Sequence, residues 1–252
     1  MKLLVDIGNT RIKWALARDH ALLESGAFSY EEIEVFLSRR VSNIELLMLA
    51  NVTSAGKPQI VEKISTWCQK NDVLLQHARV QKECVGLTVA YEELKNLGVD
   101  RWLAMVGAWQ LHRCACVVID SGSAITVDYL DNAGVHLGGL IVPGKNLLRK
   151  TLFDNTSAVK VPESELPRQW RPGVDTKPCV TNGLAAMLKG FVCEALAHTK
   201  LLPGMECGKI VLTGGDAQLL GNMISDAQLG ENHGFELEIT PQLVLHGLHC
   251  VS

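Results

Sequence analysis

The chain has 252 residues, 47% of them hydrophobic and 20% charged, with a formal net charge of −3; such a length buries roughly three quarters of its unfolded surface, enough for one large domain or two small ones sharing a cleft. No run of Lys and Arg exceeds two or three residues, so no nucleic-acid footprint is visible. Asp6 interrupts the first apolar run and no stretch approaches about 18 apolar residues, which argues against a signal peptide and a membrane span and for a cytoplasmic protein.

The opening, Lys2-Leu-Leu-Val-Asp-Ile-Gly-Asn-Thr-Arg-Ile-Lys-Trp, reads as strand, tight turn, strand, with Asp6 near the end of the first strand and Lys13 on the second. Ala21–Phe28 reads as a third strand, and Ser29 followed by two glutamates caps a helix running to about residue 40. Residues 44–52 form a near-continuous apolar strand, Pro58–Lys70 has helical spacing through Ile60, Ile64 and Trp67, and residues 73–77 form another short strand. This is the strand and helix order of an α/β half-domain. Residues 81–97 are irregular and hold Gly86 and Tyr91. Gly98-Val99-Asp100-Arg101 then introduces a helix over 102–111. Asp100 suits a helix N-cap, whereas Arg101 is a cation at the positive end of a helix, mildly unfavourable unless it serves an anion.

Residues 115–131 repeat the opening pattern, with Asp120, Gly122 and Ser123 standing where Asp6, Gly8 and Asn9 stand in the first hairpin. The fold is therefore expected to be duplicated, in halves of 1–113 and 114–252. Two such hairpins facing one another suit a nucleotide: Gly8 and Gly122 let backbone N–H groups approach phosphate, and Asn9, Thr10 and Ser123 add short donors. The carboxylates of Asp6 and Asp120 would meet phosphate only through a divalent cation or a water shell. Residues 135–144 form a strand in which Gly138 and Gly139 suggest close backbone approach, followed by a helix over 145–153. Residues 154–176 hold Pro162, Pro167 and Pro172 and read as a long loop or lid. A helix runs from Thr181 to about residue 200. Lys209-Ile-Val-Leu-Thr-Gly-Gly-Asp216 is a strand entering a turn at Gly214 and Gly215 that could carry a base or ribose against its backbone, then a helix. A strand over 236–239 and the segment 241–250 close the chain. The eight cysteines include no Cys-x-x-Cys and mostly sit among apolar residues, as reduced core thiols do. His246, His249 and Cys250 read as a helix end rather than a metal cluster.

Five short motifs in this order, Asp6-Ile-Gly-Asn-Thr10 with Lys13, Gly98-Val-Asp-Arg101, Asp120-Ser-Gly-Ser-Ala124, His136-Leu-Gly-Gly-Leu-Ile-Val-Pro-Gly144 and Leu212-Thr-Gly-Gly-Asp216, resemble those of the type III pantothenate kinases of the acetate and sugar kinase/Hsc70/actin superfamily. The resemblance runs the length of the chain. It implies an α/β fold of duplicated RNase H-like, actin-like ATPase domains with a cleft between them, and ATP-dependent phosphorylation of pantothenate, the first step of coenzyme A biosynthesis. It also implies that Asp6, Gly8, Asn9, Thr10 and Lys13, with Ser123, Gly214 and Gly215, bind ATP. Asp100 would be the base that deprotonates the pantothenate hydroxyl, and Tyr91, Gly98, Val99, Asp100, Arg101 and Thr181 would bind pantothenate. Mg²⁺, a monovalent cation (K⁺ or NH₄⁺) near Asp120, and a homodimer complete the expectation. The sequence departs from the family at Ser123, where Thr is usual, and at Ser121, where Ala is usual. Another small-molecule kinase of the superfamily and a non-catalytic nucleotide-binding accessory factor remain open as alternatives.

Overall fold

In the computed structural model, which describes residues 1–19, 21–39, 43–51, 57–156, 161, 165–168, 171–227 and 234–252, the opening alternation folds as β1 (Lys2–Ile7) and β2 (Ile12–Arg18), followed by β3 (Ala21–Phe28). Then come α1 (Ile33–Ser38), β4 (Leu46–Asn51), α2 (Pro58–Lys70) and β5 (Leu74–His77). Pro58 sits at the start of α2, where a missing N–H costs nothing. The sheet order is β3-β2-β1-β4-β5; β1, β2 and β3 are antiparallel, and β4 and β5 run parallel to β1. Leu3, Val5, Ile7, Ile12 and Trp14 meet Ile33 and Leu37 of α1 and Ile60 and Ile64 of α2 in one core. The expected helix end at residue 40 and strand end at residue 52 lie outside the described residues.

The second sheet repeats the first. Its strands are β8 (Cys116–Ser121), β9 (Ala124–Leu130), β10 (His136–Pro143), β11 (Gly208–Thr213) and β12 (Phe235–Ile239), numbered after the short hairpin β6 (Glu83–Cys84) and β7 (Leu87–Thr88). Their order is β10-β9-β8-β11-β12, with the same pattern of antiparallel and parallel neighbours. The accompanying helices are α4 (Lys145–Asp154), α5 (Thr176–Ala197) and α6 (Ala217–Asp226); α5 and α6 fill the core beneath Val117, Ile119, Ile125, Val127, Ile210 and Leu212. The register carries the duplication down to single residues. Asp6 lies across from Lys13 and beside Ala50, and Asp120 lies across from Thr126 and beside Thr213.

The chain divides into residues 1–111 with 242–252, and residues 112–241. The segment after 241 was expected with the second half; instead α7 (Leu243–Cys250) packs on β1, β2 and β4. Its partner there is α3 (Val99–His112), and two glycines let the helices touch backbone to backbone. A methyl on Gly247 would collide with the Leu103 carbonyl, and one on Gly107 would lie 2.5 Å from the Leu243 carbonyl oxygen. Lys2 Nζ donates to the Ser252 carbonyl (2.8 Å) and Oγ (2.9 Å), tying the chain end to β1.

Four further expectations are corrected. α5 begins at Thr176 rather than Thr181, because Pro178 falls in its first turn, where proline is tolerated. A methyl on Gly138 would meet nothing within 4 Å; this glycine serves its φ of +113° at the bulge where β10 shifts register against β9. Of the cysteines only Cys68 and Cys116 are buried, and Cys179 and Cys207 are exposed; burial pushes the Cys68 thiol up to about 11. Finally, the helical stretch Thr176–Leu201 is long and apolar enough to cross a membrane by length and composition. Leu184, Leu188, Val192 and Leu196 on it belong to the core of the second unit.

Candidate functional site

In the first unit two groups of expected site residues form. Asp6 is 5% exposed and stands directly across the ladder from Lys13, so the two side chains leave the same face of the sheet. Gly8, Asn9 and Thr10 form the turn between them, with Asn9 and Thr10 exposed. The turn is pinned by a residue that sequence reasoning passed over: the Tyr30 hydroxyl donates to the Gly8 carbonyl. Burial, and then the charge of Asp6, raise the Tyr30 phenol above its ordinary value, so it stays a protonated donor.

The second group lies at the start of α3. The Trp102 N–H bonds the Gly98 carbonyl at 3.1 Å, which makes Gly98 the capping position and places Asp100 inside the first turn, not at the cap. One carboxylate oxygen of Asp100 accepts the Arg101 N–H at 2.8 Å. That oxygen would lie 2.5 Å from a methyl on Gly98, so glycine at 98 leaves the space the carboxylate occupies. Arg101 is 7% exposed, and its Nη1 donates to the Tyr91 hydroxyl at 3.0 Å. Tyr91 is held in turn by Lys82, whose Nζ donates to the carbonyls of Val89 (2.7 Å) and Tyr91 (3.2 Å). The hairpin β6–β7 leading into this loop turns through Val85 (φ 45°) and Gly86 (φ 85°), a two-residue turn with both φ positive.

The second unit gathers Asp120, Ser123, Gly214 and Gly215. Gly214 is required twice: its φ is +94°, and a methyl there would collide with the Asp120 carboxylate and the Ser121 carbonyl. The Gly122 N–H is engaged within its own turn by the Ala124 carbonyl at 2.9 Å, so it is not the phosphate donor the sequence suggested. A third junction, between β10 and α4, joins the group: the Gly144 N–H donates to the Ser123 carbonyl at 3.0 Å. Lys145, absent from the expected set, ion-pairs with Asp216 at 2.8 Å. Thr181 lies on α5, its hydroxyl donating to the Lys177 carbonyl at 3.1 Å. Among the described residues no three His, Cys, Asp or Glu side chains gather as a metal site.

Two sheets of identical order, each ending its first strand in an aspartate beside a glycine turn, define the actin-like ATPase and sugar kinase class of fold. Solved structures agree: ethanolamine utilization protein EutJ from Carboxydothermus hydrogenoformans matches with a TM-score of 0.53 at 12% identity, covering 100% of this chain and 89% of its own. A Sinorhizobium meliloti protein solved under the name of a 2-dehydro-3-deoxygalactonokinase matches with a TM-score of 0.54 at 12% identity, covering 99% and 97%. Residues 2–198 match the type III pantothenate kinase family, and type III pantothenate kinases of Teredinibacter turnerae and Marinobacter nauticus are 37% and 33% identical, over 98% and 100% of this chain and 97% and 98% of their own. The chain belongs to the type III pantothenate kinase family.

Proposed function

We propose that this protein transfers the γ-phosphoryl group of ATP to the hydroxyl of pantothenate, giving 4′-phosphopantothenate. The observation that carries the reading is the Tyr91–Arg101–Asp100 group: a buried guanidinium at the positive end of α3, held by a phenol, next to a carboxylate lodged against Gly98. A cation in that place calls for an anionic partner, and the pantothenate carboxylate supplies one. Asp100 then accepts the hydroxyl proton, with Gly98, Val99 and Thr181 completing the substrate site. Asp6, Gly8, Asn9, Thr10 and Lys13 handle the phosphates, and Ser123, Gly214 and Gly215 take the rest of the nucleotide.

Mg²⁺ binds through one or two carboxylates plus substrate phosphates rather than an all-protein cage, and the carboxylates of Asp6 and Asp120 suit it. When bound it neutralises charge developing on the transferred group. The Asp120 carboxylate is also our candidate for holding K⁺ or NH₄⁺. We infer a cytoplasmic homodimer whose partners are small molecules.

The test is Asp100→Asn. Asn keeps the shape and the acceptor oxygen for the Arg101 N–H and removes proton acceptance. Turnover should fall about 10²-fold or more, with the melting temperature near wild type and ATP still bound. A folded variant with near-normal kcat would overturn the assignment of the base.

A further inference from the structure

Three loops of the second unit carry or adjoin the residues assigned to the nucleotide: the β8–β9 turn with Ser123, the β10–α4 junction with Gly144, and the β11–α6 turn with Gly214 and Gly215. Backbone bonds join them in pairs. The Gly144 N–H reaches the Ser123 carbonyl (3.0 Å) and the Asp216 N–H reaches the Ser121 carbonyl (2.9 Å), so the β8–β9 turn is tied to each of the others. The remaining side of the triangle, from the β10–α4 junction to the β11–α6 turn, is closed by the Lys145–Asp216 ion pair at 2.8 Å, with the two side chains 23% and 21% exposed.

Both residues sit where their own helices explain little. Lys145 is the first residue of α4, where a cation opposes the helix dipole. Asp216 holds the N-cap place of α6, yet its side chain makes no capping bond; its carboxylate is turned to Lys145 instead.

We propose that Lys145 and Asp216 are positioning residues that act as a clamp, holding the Gly214–Gly215 turn against Asp120 and Ser121 and the β10–α4 junction against Ser123 so that the nucleotide half of the site is preformed. This rests on the nucleotide role assigned above to Ser123, Gly214 and Gly215. A preformed loop spares binding the cost of ordering it, so losing the clamp weakens nucleotide binding and leaves the pantothenate residues alone.

The experiment is titration of full-length wild type, Lys145→Met, Lys145→Arg, Asp216→Asn and the Lys145→Met/Asp216→Asn double variant with a non-hydrolysable ATP analogue and Mg²⁺, together with KM for ATP and for pantothenate and the melting temperature of each. Lys145→Met and Asp216→Asn should each weaken analogue binding and raise KM for ATP about three- to thirty-fold, with the double variant no worse than the weaker single. KM for pantothenate should hold, and Lys145→Arg, which keeps the cation, should bind close to wild type. If Lys145 instead touched phosphate directly, Asp216→Asn would free it and leave binding unchanged or tighter, which would overturn the clamp. Additive losses, or a KM for pantothenate that rises in step, would overturn it as well. Analogue binding is read without turnover. Wild-type protein that binds nucleotide but forms no phosphopantothenate would therefore sink the proposed reaction and leave the clamp to be judged on its own data.

Discussion

Gly98 and Asp100 illustrate how a small residue governs a charged one. The space above Gly98 is filled by a carboxylate oxygen of Asp100, a movable side chain rather than backbone, so Gly98→Ala should fold but turn the carboxylate away from its place. Misplacing a reacting group by about an ångström can cost on the order of 10²-fold; kcat should therefore drop about 10- to 100-fold, with circular dichroism unchanged. Unaltered kcat would show that the carboxylate's placement does not matter. In the motif Gly98-Val-Asp-Arg101 only Arg101 stood out, as a cation at the start of a helix, whereas Asp100 reads as an ordinary cap. Lys145 did not, since a lone lysine at a helix start looks solvated until Asp216, 71 positions further on, is seen beside it. Tyr30 was hidden in the same way, for nothing in the sequence connects it to the Gly8 carbonyl.

At the scale of elements, periodicity and turn chemistry located β1, β2, β8, β9 and α2, whose apolar residues face their cores in the expected rhythm. What they could not show was which unit the last helix joins. α7 is apolar on the face that meets β1, β2 and β4, and an apolar face does not name its partner. The β6–β7 hairpin was invisible because its strands are two residues each and its turn puts Val85, a β-branched residue, at positive φ. One consequence of docking α7 can be measured. Burial holds the His246 imidazole below its ordinary 6.5, so as pH falls through that value the unfolded chain takes up a proton that the folded chain resists. Stability should therefore decline from about pH 6.5 downward until folded His246 itself titrates. Replacing His246 by Gln should flatten this part of the curve relative to wild type in chemical denaturation at pH 7 and pH 5.5. Parallel curves would show that His246 is not what α7 loses on acidification.

For the whole molecule, duplication is the governing feature. Both units use one strand order and one direction pattern, but the residue across from the aspartate is Lys13 in the first and Thr126 in the second. One copy thus sets a cation across from its aspartate, and the other a neutral hydroxyl. The repeated Asp-x-Gly pattern made the duplication legible, and only the register shows that the residues across from the two aspartates differ. Exposed Leu140 and Ile141 on β10, an edge strand, and Met187 on α5 are large apolar groups of the kind that assembly covers. Light scattering should accordingly give twice the 27.5 kDa chain mass, and a monomer at working concentration would refute the dimer.

The most direct test is product formation by the purified, folded protein offered ATP, Mg²⁺ and a panel of pantothenate, sugars and acetate. Phosphopantothenate should be the product, formed faster in K⁺ than in Li⁺, as the monovalent-cation site proposed at Asp120 requires. No phosphopantothenate with any divalent ion, in either K⁺ or NH₄⁺, would contradict the account.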